Sequence, residues 1–213
     1  MIYVVEIINK SARFQSAVSS ARPRGARLIE AFSPKLGRRL QCFGEHAFGQ
    51  WIRLEADPSV QTFCERPVYL EWMTGKRLAD FWVRQDDREM LIIVDDESPA
   101  STITIGDAEL AILPIPLAEL AAARIWIGNW ERMLPAMTSC RQQITSSFQQ
   151  SIQKFIAEPI QLSHIEQAFG TGDPTLVRAA VFNLLHDGKV EAPQLHTEAL
   201  SFLTCFRPAN STP

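Results

Sequence analysis

The chain has 213 residues, of which 46% are hydrophobic and 21% charged, and its formal net charge is −3. This composition is typical of a globular protein with one large or two small domains. No apolar run approaches the ~18 residues of a membrane span. The four cysteines form no C-x-x-C pair, which argues against a zinc site and a disulfide framework. We therefore expect a cytoplasmic protein in a reducing setting, with no membrane partner.

An apolar start and a basic arm make up the first 41 residues. Residues 2–9 are predicted to form a strand rather than a signal peptide, because Glu6 interrupts the apolar run and no basic region precedes it. An irregular stretch with turns is expected at 10–41. Residues 1–40 hold eight basic and two acidic side chains, whereas the remaining 173 hold 13 basic and 22 acidic ones. A basic arm on an acidic body is typical of contact with a polyanion such as DNA, and a solvated lead-in is the alternative. The candidate DNA-binding residues of the arm are Arg22, Arg24, Arg27, Lys35, Arg38 and Arg39.

An α/β domain is predicted between residues 42 and 135. Apolar side chains at Ala47, Trp51 and Leu54 mark one face of a helix over 43–55. One helix followed by several strands indicates a mixed sheet flanked by helices, and the continuous apolar run at 90–94 is typical of a strand covered on both faces. The predicted strands lie at 60–64, 68–72, 78–83, 90–94, 102–105 and 111–114.

The rest of the chain is predicted to be mainly helical. Helices are expected over 117–134 and 141–157, broken near Pro135, with residues 136–158 as a connector. Trp126 and Trp130 lie four residues apart, so we expect them to pack against each other rather than to stack on bases.

A winged-helix domain is predicted over 159–213. A helix at 162–169, a second helix that starts at Asp173-Pro174 and stops before Gly188, and a strand at 189–192 give the winged helix-turn-helix pattern. Only Arg178 on the outward face of the second helix is reliably charged, so docking of a protein is at least as favoured as reading of DNA bases. The residues expected on that face are Thr175, Arg178, Phe182, Asn183 and His186.

Three segments in the middle of the chain share their order and spacing with a known family. They are Leu54–Val60, Glu65–Pro67 and Ala79–Phe81, which follow the basic arm and precede the winged-helix pattern. Together they resemble TnsA, the endonuclease subunit of heteromeric transposases. The resemblance implies a fold like that of type II restriction enzymes, followed by a winged helix. It also implies work at transposon ends, with DNA, a DDE-type transposase subunit and an AAA+ regulator as partners; the sequence leaves a homodimer open.

The family's chemistry uses carboxylates that hold magnesium, which activates water, and a nearby lysine. Asp80 matches the family's aspartate, but the position of its helix glutamate falls on Ala47. Glu45 lies about 200° round the helix from that position. The family's Glu-x-Lys falls on Ile93-Val94-Asp95 or on Val94-Asp95-Asp96, and neither contains a glutamate followed by a lysine. The candidate catalytic residues are Asp80, Asp95 and Asp96, and the candidate metal ligands are Asp80 and Asp95.

Three hypotheses remain from the sequence. The favoured one is a nuclease fold that has lost cleavage activity and docks DNA and transposase partners. In the second, an active endonuclease uses Glu97 with the aspartates and Lys76 as the cation, and only then is magnesium an expected cofactor. In the third, the chain is a protein-interaction module unrelated to DNA, and Asp95-Asp96-Glu97 is a solvated turn.

Overall fold

A computed structural model describes residues 14–72, 75–86, 88–106, 108–170 and 173–209 of the chain. The strand predicted at 2–9 lies outside these residues. In the described part, no helix is long and apolar enough to cross a membrane. The strands there are β1 (Leu28–Ser33), β2 (Arg38–Phe43), β3 (Val60–Glu65), β4 (Tyr69–Trp72), β5 (Gly75–Leu78), β6 (Phe81–Gln85), β7 (Arg88–Val94), β8 (Ser101–Ile105), β9 (Ala108–Ile115), β10 (Ile160–Gln161), β11 (Val190–Glu191) and β12 (Cys205–Pro208). The helices are α1 (Glu45–Ala56), α2 (Leu117–Ala122), α3 (Arg124–Cys140), α4 (Ser146–Phe155), α5 (Leu162–Phe169) and α6 (Pro174–His186), with a short 3-10 helix at Pro193–His196.

Residues 28–43 form a β-hairpin, so the prediction of an irregular stretch at 10–41 is wrong from residue 28 onward. Strands β1 and β2 pair antiparallel, and Gly37 closes the turn between them with a φ of 65°, which glycine adopts without a steric penalty. Leu40 and Cys42 are buried, whereas Arg39 is exposed. This alternation is that of a strand, but the many arginines hid it in the sequence.

The central sheet has five strands in the order β3-β6-β7-β9-β8. Strands β3, β6 and β7 pair antiparallel, and β9 runs parallel to β7. Along β7, Ile92 and Val94 belong to the core that also contains α1 and α3, whereas Leu91 and Ile93 belong to a second apolar cluster. The strand is therefore covered on both faces, as its apolar run predicted. The predicted mixed α/β class, with a mixed sheet flanked by helices, is confirmed.

A bend at Asp80 divides the strand predicted over 78–83. Residues before the bend form β5, which pairs with β4 in a separate hairpin, and residues after it form β6. The Arg66 N–H donates to the Asp80 carbonyl at 2.8 Å, and the Asp80 N–H donates to the Ile92 carbonyl at 2.9 Å. These bonds fix Asp80 at the end of the sheet where β3 and β7 finish and β6 begins.

Helix α3 continues through Pro135, so the predicted break is wrong. Proline there removes one backbone hydrogen bond, but Pro135 is exposed, so water can bind the carbonyl that loses its partner. Met133, Leu134 and Met137 are buried around it. Their packing holds the helix together across the proline.

In the C-terminal part, helices α4, α5 and α6 pack with a small sheet in the order β10-β12-β11. The Asp173 carboxylate caps α6 by accepting a hydrogen bond from the Thr175 N–H at 2.8 Å, and Pro174 is the first helical residue, as predicted. The sequence missed β10 and β12 because strands of two to four residues show too few alternations to form a pattern.

Helix α6 offers less outward surface than expected. Seven of its 13 residues are buried. Phe182 is only 2% exposed, and His186 Nε2 lies 2.9 Å from Glu55 Oε1 at the end of α1. The expectation that Phe182 and His186 face outward is therefore wrong, whereas Arg178 is exposed.

Candidate functional site

Asp80 lies in a cavity of about 150 Å³ between β2, α1 and the end of the central sheet. Cys42 of β2, Ala47 of α1, Glu65 and Arg66 also line it. Ala47 is the position that the resemblance assigns to the family's helix glutamate. Positions 47 and 80, about 30 residues apart in sequence, thus meet in one cavity. Position 47 carries a methyl group instead of a carboxylate.

The Asp80 carboxyl group is held by the neighbouring strand. Its Oδ2 accepts a hydrogen bond from the Val94 N–H at 2.8 Å. Burial raises its pKa from 3.8 to about 6, against the opposing effects of the Val94 hydrogen bond and the positive charge of Arg77. This carboxyl group therefore exchanges a proton near neutral pH, as acids in functional pockets commonly do.

The two other candidate catalytic residues lie outside the cavity. Asp95 is exposed and has a φ of 60°, although its negative charge is close enough to contribute to the raised pKa of Asp80. The Asp96 carboxylate accepts hydrogen bonds from the Ser98 N–H at 2.7 Å and from the Arg77 guanidinium. The Ser98 hydrogen bond and then Arg77 lower the pKa of Asp96. Asp96 thus closes a turn and anchors Arg77.

Two carboxylates, those of Glu65 and Asp80, line the cavity among the described residues. Glu65 is engaged through both oxygens by Arg38, at 2.8 and 2.6 Å, which leaves Asp80 as the one carboxylate without an ion pair among the described lining residues. Magnesium requires about six oxygen ligands in octahedral geometry. Within the described ranges, no group of three or more His, Cys, Asp or Glu side chains is placed to hold a metal ion. Lys76 Nζ lies 3.8 Å from Glu71 and its side chain is 72% exposed, and it does not line the cavity.

Arg66 brings a positive charge to the cavity that the sequence did not assign. Its Nη1 donates to the Gln41 carbonyl at 3.0 Å, and its guanidinium lies 4.3 Å from the centre of the Phe43 ring. The backbone of Arg66 has a φ of 48°, which is uncommon for a residue other than glycine. The sequence marked Glu65-Arg66-Pro67 only as part of the resemblance. An acid beside a base at the end of a strand was the signal that could have found them.

Three of the predicted DNA-binding arginines are exposed around this cavity. Arg22 and Arg24 flank Pro23, which lines it. Arg39 lines an adjoining cavity of about 210 Å³ together with Arg66. None of the three exposed arginines has an ion-pair partner among the described residues. Their guanidinium groups are therefore accessible to an anion.

Two further candidates form surface ion pairs. Arg27 Nη1 lies 2.9 Å from Glu45 Oε1, with side chains 77% and 60% exposed. Arg178 Nε lies 2.5 Å from Glu166 Oε1. Exposed pairs of this kind contribute little to stability, so Arg27 can exchange Glu45 for a phosphate at low cost.

The remaining two candidates hold the hairpin in place. Lys35 Nζ donates to the Leu54 carbonyl at 3.1 Å and to the Asp57 carbonyl at 2.6 Å, which satisfies acceptors at the C-terminal end of α1. Burial lowers the pKa of Lys35. Arg38 binds Glu65, as described above. Both cations serve internal contacts.

A larger cleft, of about 770 Å³, lies between the end of α1, the start of α3 and β11. Trp126 and His196 stack in its wall with ring centres 4.1 Å apart. Trp126 also packs edge-on against Trp130 at 5.6 Å, which confirms the predicted packing of the pair. Arg53 in the same wall is bound to Glu119 at 2.5 Å. The acids that line the cleft are engaged as well, Asp57 by Ser59 and Gln85 and Glu191 by Arg207.

No protein-family model matches this chain, and no curated protein matches its sequence. The functional interpretation therefore depends on the residues of the cavity and their surroundings.

Proposed function

We propose that this chain is a TnsA-like component of a DNA transposition apparatus, in which a nuclease fold docks DNA and partner proteins without cutting DNA. One observation carries the proposal. Asp80 and Ala47 line one cavity, and exposed arginines adjoin its lining residues along the chain. The aspartate keeps the position that the family uses, the alanine removes a metal ligand, and the arginines offer contacts to phosphates.

The order of elements supports the nuclease part of the proposal. Helix α1 is followed by β3, by the acid before β6, and by β7, which lies beside that acid. In this order the resemblance places the helix glutamate, the aspartate and the Glu-x-Lys strand. Ile92 and Val94 pack on the face of β7 that contacts α1. If the family's Glu-x-Lys is aligned with Val94-Asp95-Asp96, the apolar Val94 takes the place of the glutamate on the Asp80 side.

The C-terminal part supports a winged helix. The three strands pair in the order β10-β12-β11. Along the chain, α5 and α6 lie between β10 and β11, and a long connection joins β11 to β12. Because α6 is buried against α3 and its end is bound to Glu55, we propose that this unit serves protein contacts, and that DNA docking falls to the arginines of the arm.

DNA docking through the arm is tested by the salt dependence of binding. Each lost phosphate contact reduces the slope of log affinity against log salt by about one. We expect the triple variant Arg22→Ala, Arg24→Ala, Arg39→Ala to bind a fluorescent DNA duplex with a slope smaller by about three. The matched control removes exposed cations elsewhere, Arg124→Ala with Lys154→Ala, and should leave the slope unchanged. An equal slope in wild type and triple variant would remove the arm from the proposal.

The absence of cleavage is tested with supercoiled plasmid and magnesium or manganese, with and without candidate transposase subunits. We expect no nicking by the wild-type chain. Nicking that disappears in Asp80→Ala would instead establish an active enzyme.

A gain-of-ligand variant tests the assignment of the cavity. Ala47→Glu places a second carboxylate beside Asp80, so Mn²⁺ should bind detectably in calorimetry and raise the melting temperature. The control Ala121→Glu adds the same charge at an exposed position of α2 and should gain no Mn²⁺ binding. No gain in Ala47→Glu would contradict the view that positions 47 and 80 form a former metal site.

A further inference from the structure

A surface turn at residues 201–204 displays two large apolar side chains. Phe202 is 61% exposed and Leu203 is 54% exposed. The turn is fixed by its own polar groups. The Ser201 N–H donates to Thr204 Oγ1 at 3.0 Å, and the Leu203 N–H donates to Ser201 Oγ at 3.2 Å. The Phe202 carbonyl accepts a hydrogen bond from the Ser163 N–H of α5 at 2.9 Å. The two apolar side chains are thus presented on an ordered support.

The segment that leads into this turn is fixed as well. Asn129 of α3 is 2% exposed, and its amide nitrogen donates to the carbonyls of Leu195 and Glu198, both at 2.8 Å. Its amide oxygen accepts a hydrogen bond from the Leu200 N–H at 2.8 Å. The connection between β11 and β12 is therefore held on α3 before any partner binds. A preformed surface avoids the entropy cost of ordering a loop on binding.

A groove of about 360 Å³ lies beside the turn, between α3 and the first half of α6. Ala136 and Phe202 contribute apolar surface, and the charged side chains that line it are Arg132 and Arg178, the second of which is bound to Glu166 at 2.5 Å. Arg132 is exposed and has no ion-pair partner among the described residues. Apolar walls with the unpaired cation of Arg132 at the rim match a ligand that combines an apolar anchor with a carboxylate.

We infer that this groove and the Phe202-Leu203 turn bind an acidic segment of a partner protein, which covers the turn with an apolar side chain and pairs a carboxylate with Arg132. Exposed apolar patches on an otherwise polar surface mark protein contacts, and interface centres are enriched in aromatic residues and arginine. Nucleic acid fits less well, since DNA is held mainly by basic and polar groups on its phosphates, and the most exposed side chains here are Phe and Leu. The inference rests on the proposed role in partner docking and names the surface and the chemistry of the partner.

Selection from a random peptide-display library on the immobilised full chain tests the inference. We expect the enriched peptides to combine an aromatic or aliphatic residue with Asp or Glu. The strongest peptide, synthesised with a fluorescent label, should bind Phe202→Ser and Arg132→Glu at least about tenfold more weakly than wild type. The matched controls on α3 are Ile125→Ser and Arg124→Glu, which alter an exposed apolar residue and an exposed arginine outside this groove. They should bind like wild type.

Three other results would overturn the inference. The first is enrichment of peptides whose binding is indifferent to both groove variants. The second is a loss of duplex DNA binding in Arg132→Glu and Phe202→Ser, which would make the groove a nucleic-acid surface. The third is a dimer in sedimentation that Phe202→Ser dissolves, which would assign the patch to a second copy of the chain. Failure of the DNA-docking proposal is separate, because it is read from the arm variants in the salt titration, which leave this groove intact.

Discussion

Replacing Asp80 by Asn should stabilise the protein at neutral pH and change little in acid. The asparagine keeps an oxygen that can accept the Val94 N–H, which the aspartate accepts at 2.8 Å, but it carries no charge. Burial raises the pKa of Asp80 from 3.8 to about 6. At about 1.4 kcal/mol per unit, this shift of roughly two units means that ionising the folded protein at this site costs about 3 kcal/mol of the free energy of unfolding.

The sign of the pH dependence follows from the raised pKa. The folded state holds this proton more tightly than the unfolded state, so the contribution of Asp80 to stability is fully present below pH 3.8 and is lost as the pH rises through about 6. The gain of Asp80→Asn over wild type should therefore grow across this range and level off above it. Urea unfolding at a series of pH values, followed by circular dichroism, measures the difference.

Asp96→Asn is the matched control with the opposite sign. The hydrogen bond with Ser98 and then Arg77 lower the pKa of Asp96, so its contribution is present above the ordinary carboxyl range and is lost as the pH falls. This variant should be less stable than wild type at neutral pH. Parallel pH profiles of wild type and Asp80→Asn would refute the reasoning, because they would mean that Asp80 ionises as freely in the folded protein as in the unfolded one.

Three more predictions concern the contacts that hold the C-terminal part in place. Burial lowers the pKa of His186, but its hydrogen bonds with Asp187 and Glu55 outweigh burial and raise the pKa overall. The stability that this contact contributes should therefore be fully present below pH 6.5 and fall as the pH rises through the raised pKa. The variant His186→Gln should lose this pH dependence. Asn129→Ala removes three hydrogen bonds and should cost about 3 kcal/mol, with faster hydrogen exchange in the segment before β12; unchanged exchange there would contradict the role of Asn129. Gly188→Ala should cost about 1–3 kcal/mol in urea unfolding, because Gly188 has a φ of 67° and an added Cβ would lie 2.8 Å from a proline Cβ of the turn after α1; unaltered stability would mean that this turn yields easily.

Many elements could be predicted from the sequence because local rules determine them. The apolar spacing of Trp51 and Leu54 indicated α1, and the apolar run of β7 indicated a strand covered on both faces. Asp173 and Pro174 marked the start of α6, since a side-chain acceptor and a fixed φ act on neighbouring backbone groups. The errors arose where local signals were ambiguous. Proline at position 135 is compatible with a helix whose other residues are packed.

The cavity was only partly predictable. Counting along the chain assigned Asp80 and Ala47 to two positions of the site that the resemblance implies, and the tertiary structure brings these two residues into one cavity. Arg66 was not predicted as a cavity residue, because its place depends on the pairing of β3 with β6 and on the docking of β2. Asp95 was predicted beside Asp80 but lies outside the cavity, since its positive φ turns the chain after β7.

The sequence by itself determined the elements with strong local signals, such as α1, β7 and the start of α6, and the charge imbalance between arm and body, because backbone hydrogen bonding and side-chain periodicity are local properties. Only the tertiary structure decided which basic side chains are exposed and which are engaged in internal contacts, as Lys35 and Arg38 are. It also decided that α6 is buried against α3 while Phe202 is exposed. The burial of a side chain and the identity of its hydrogen-bond or ion-pair partner depend on residues distant in sequence, and no local pattern encodes their distances in space.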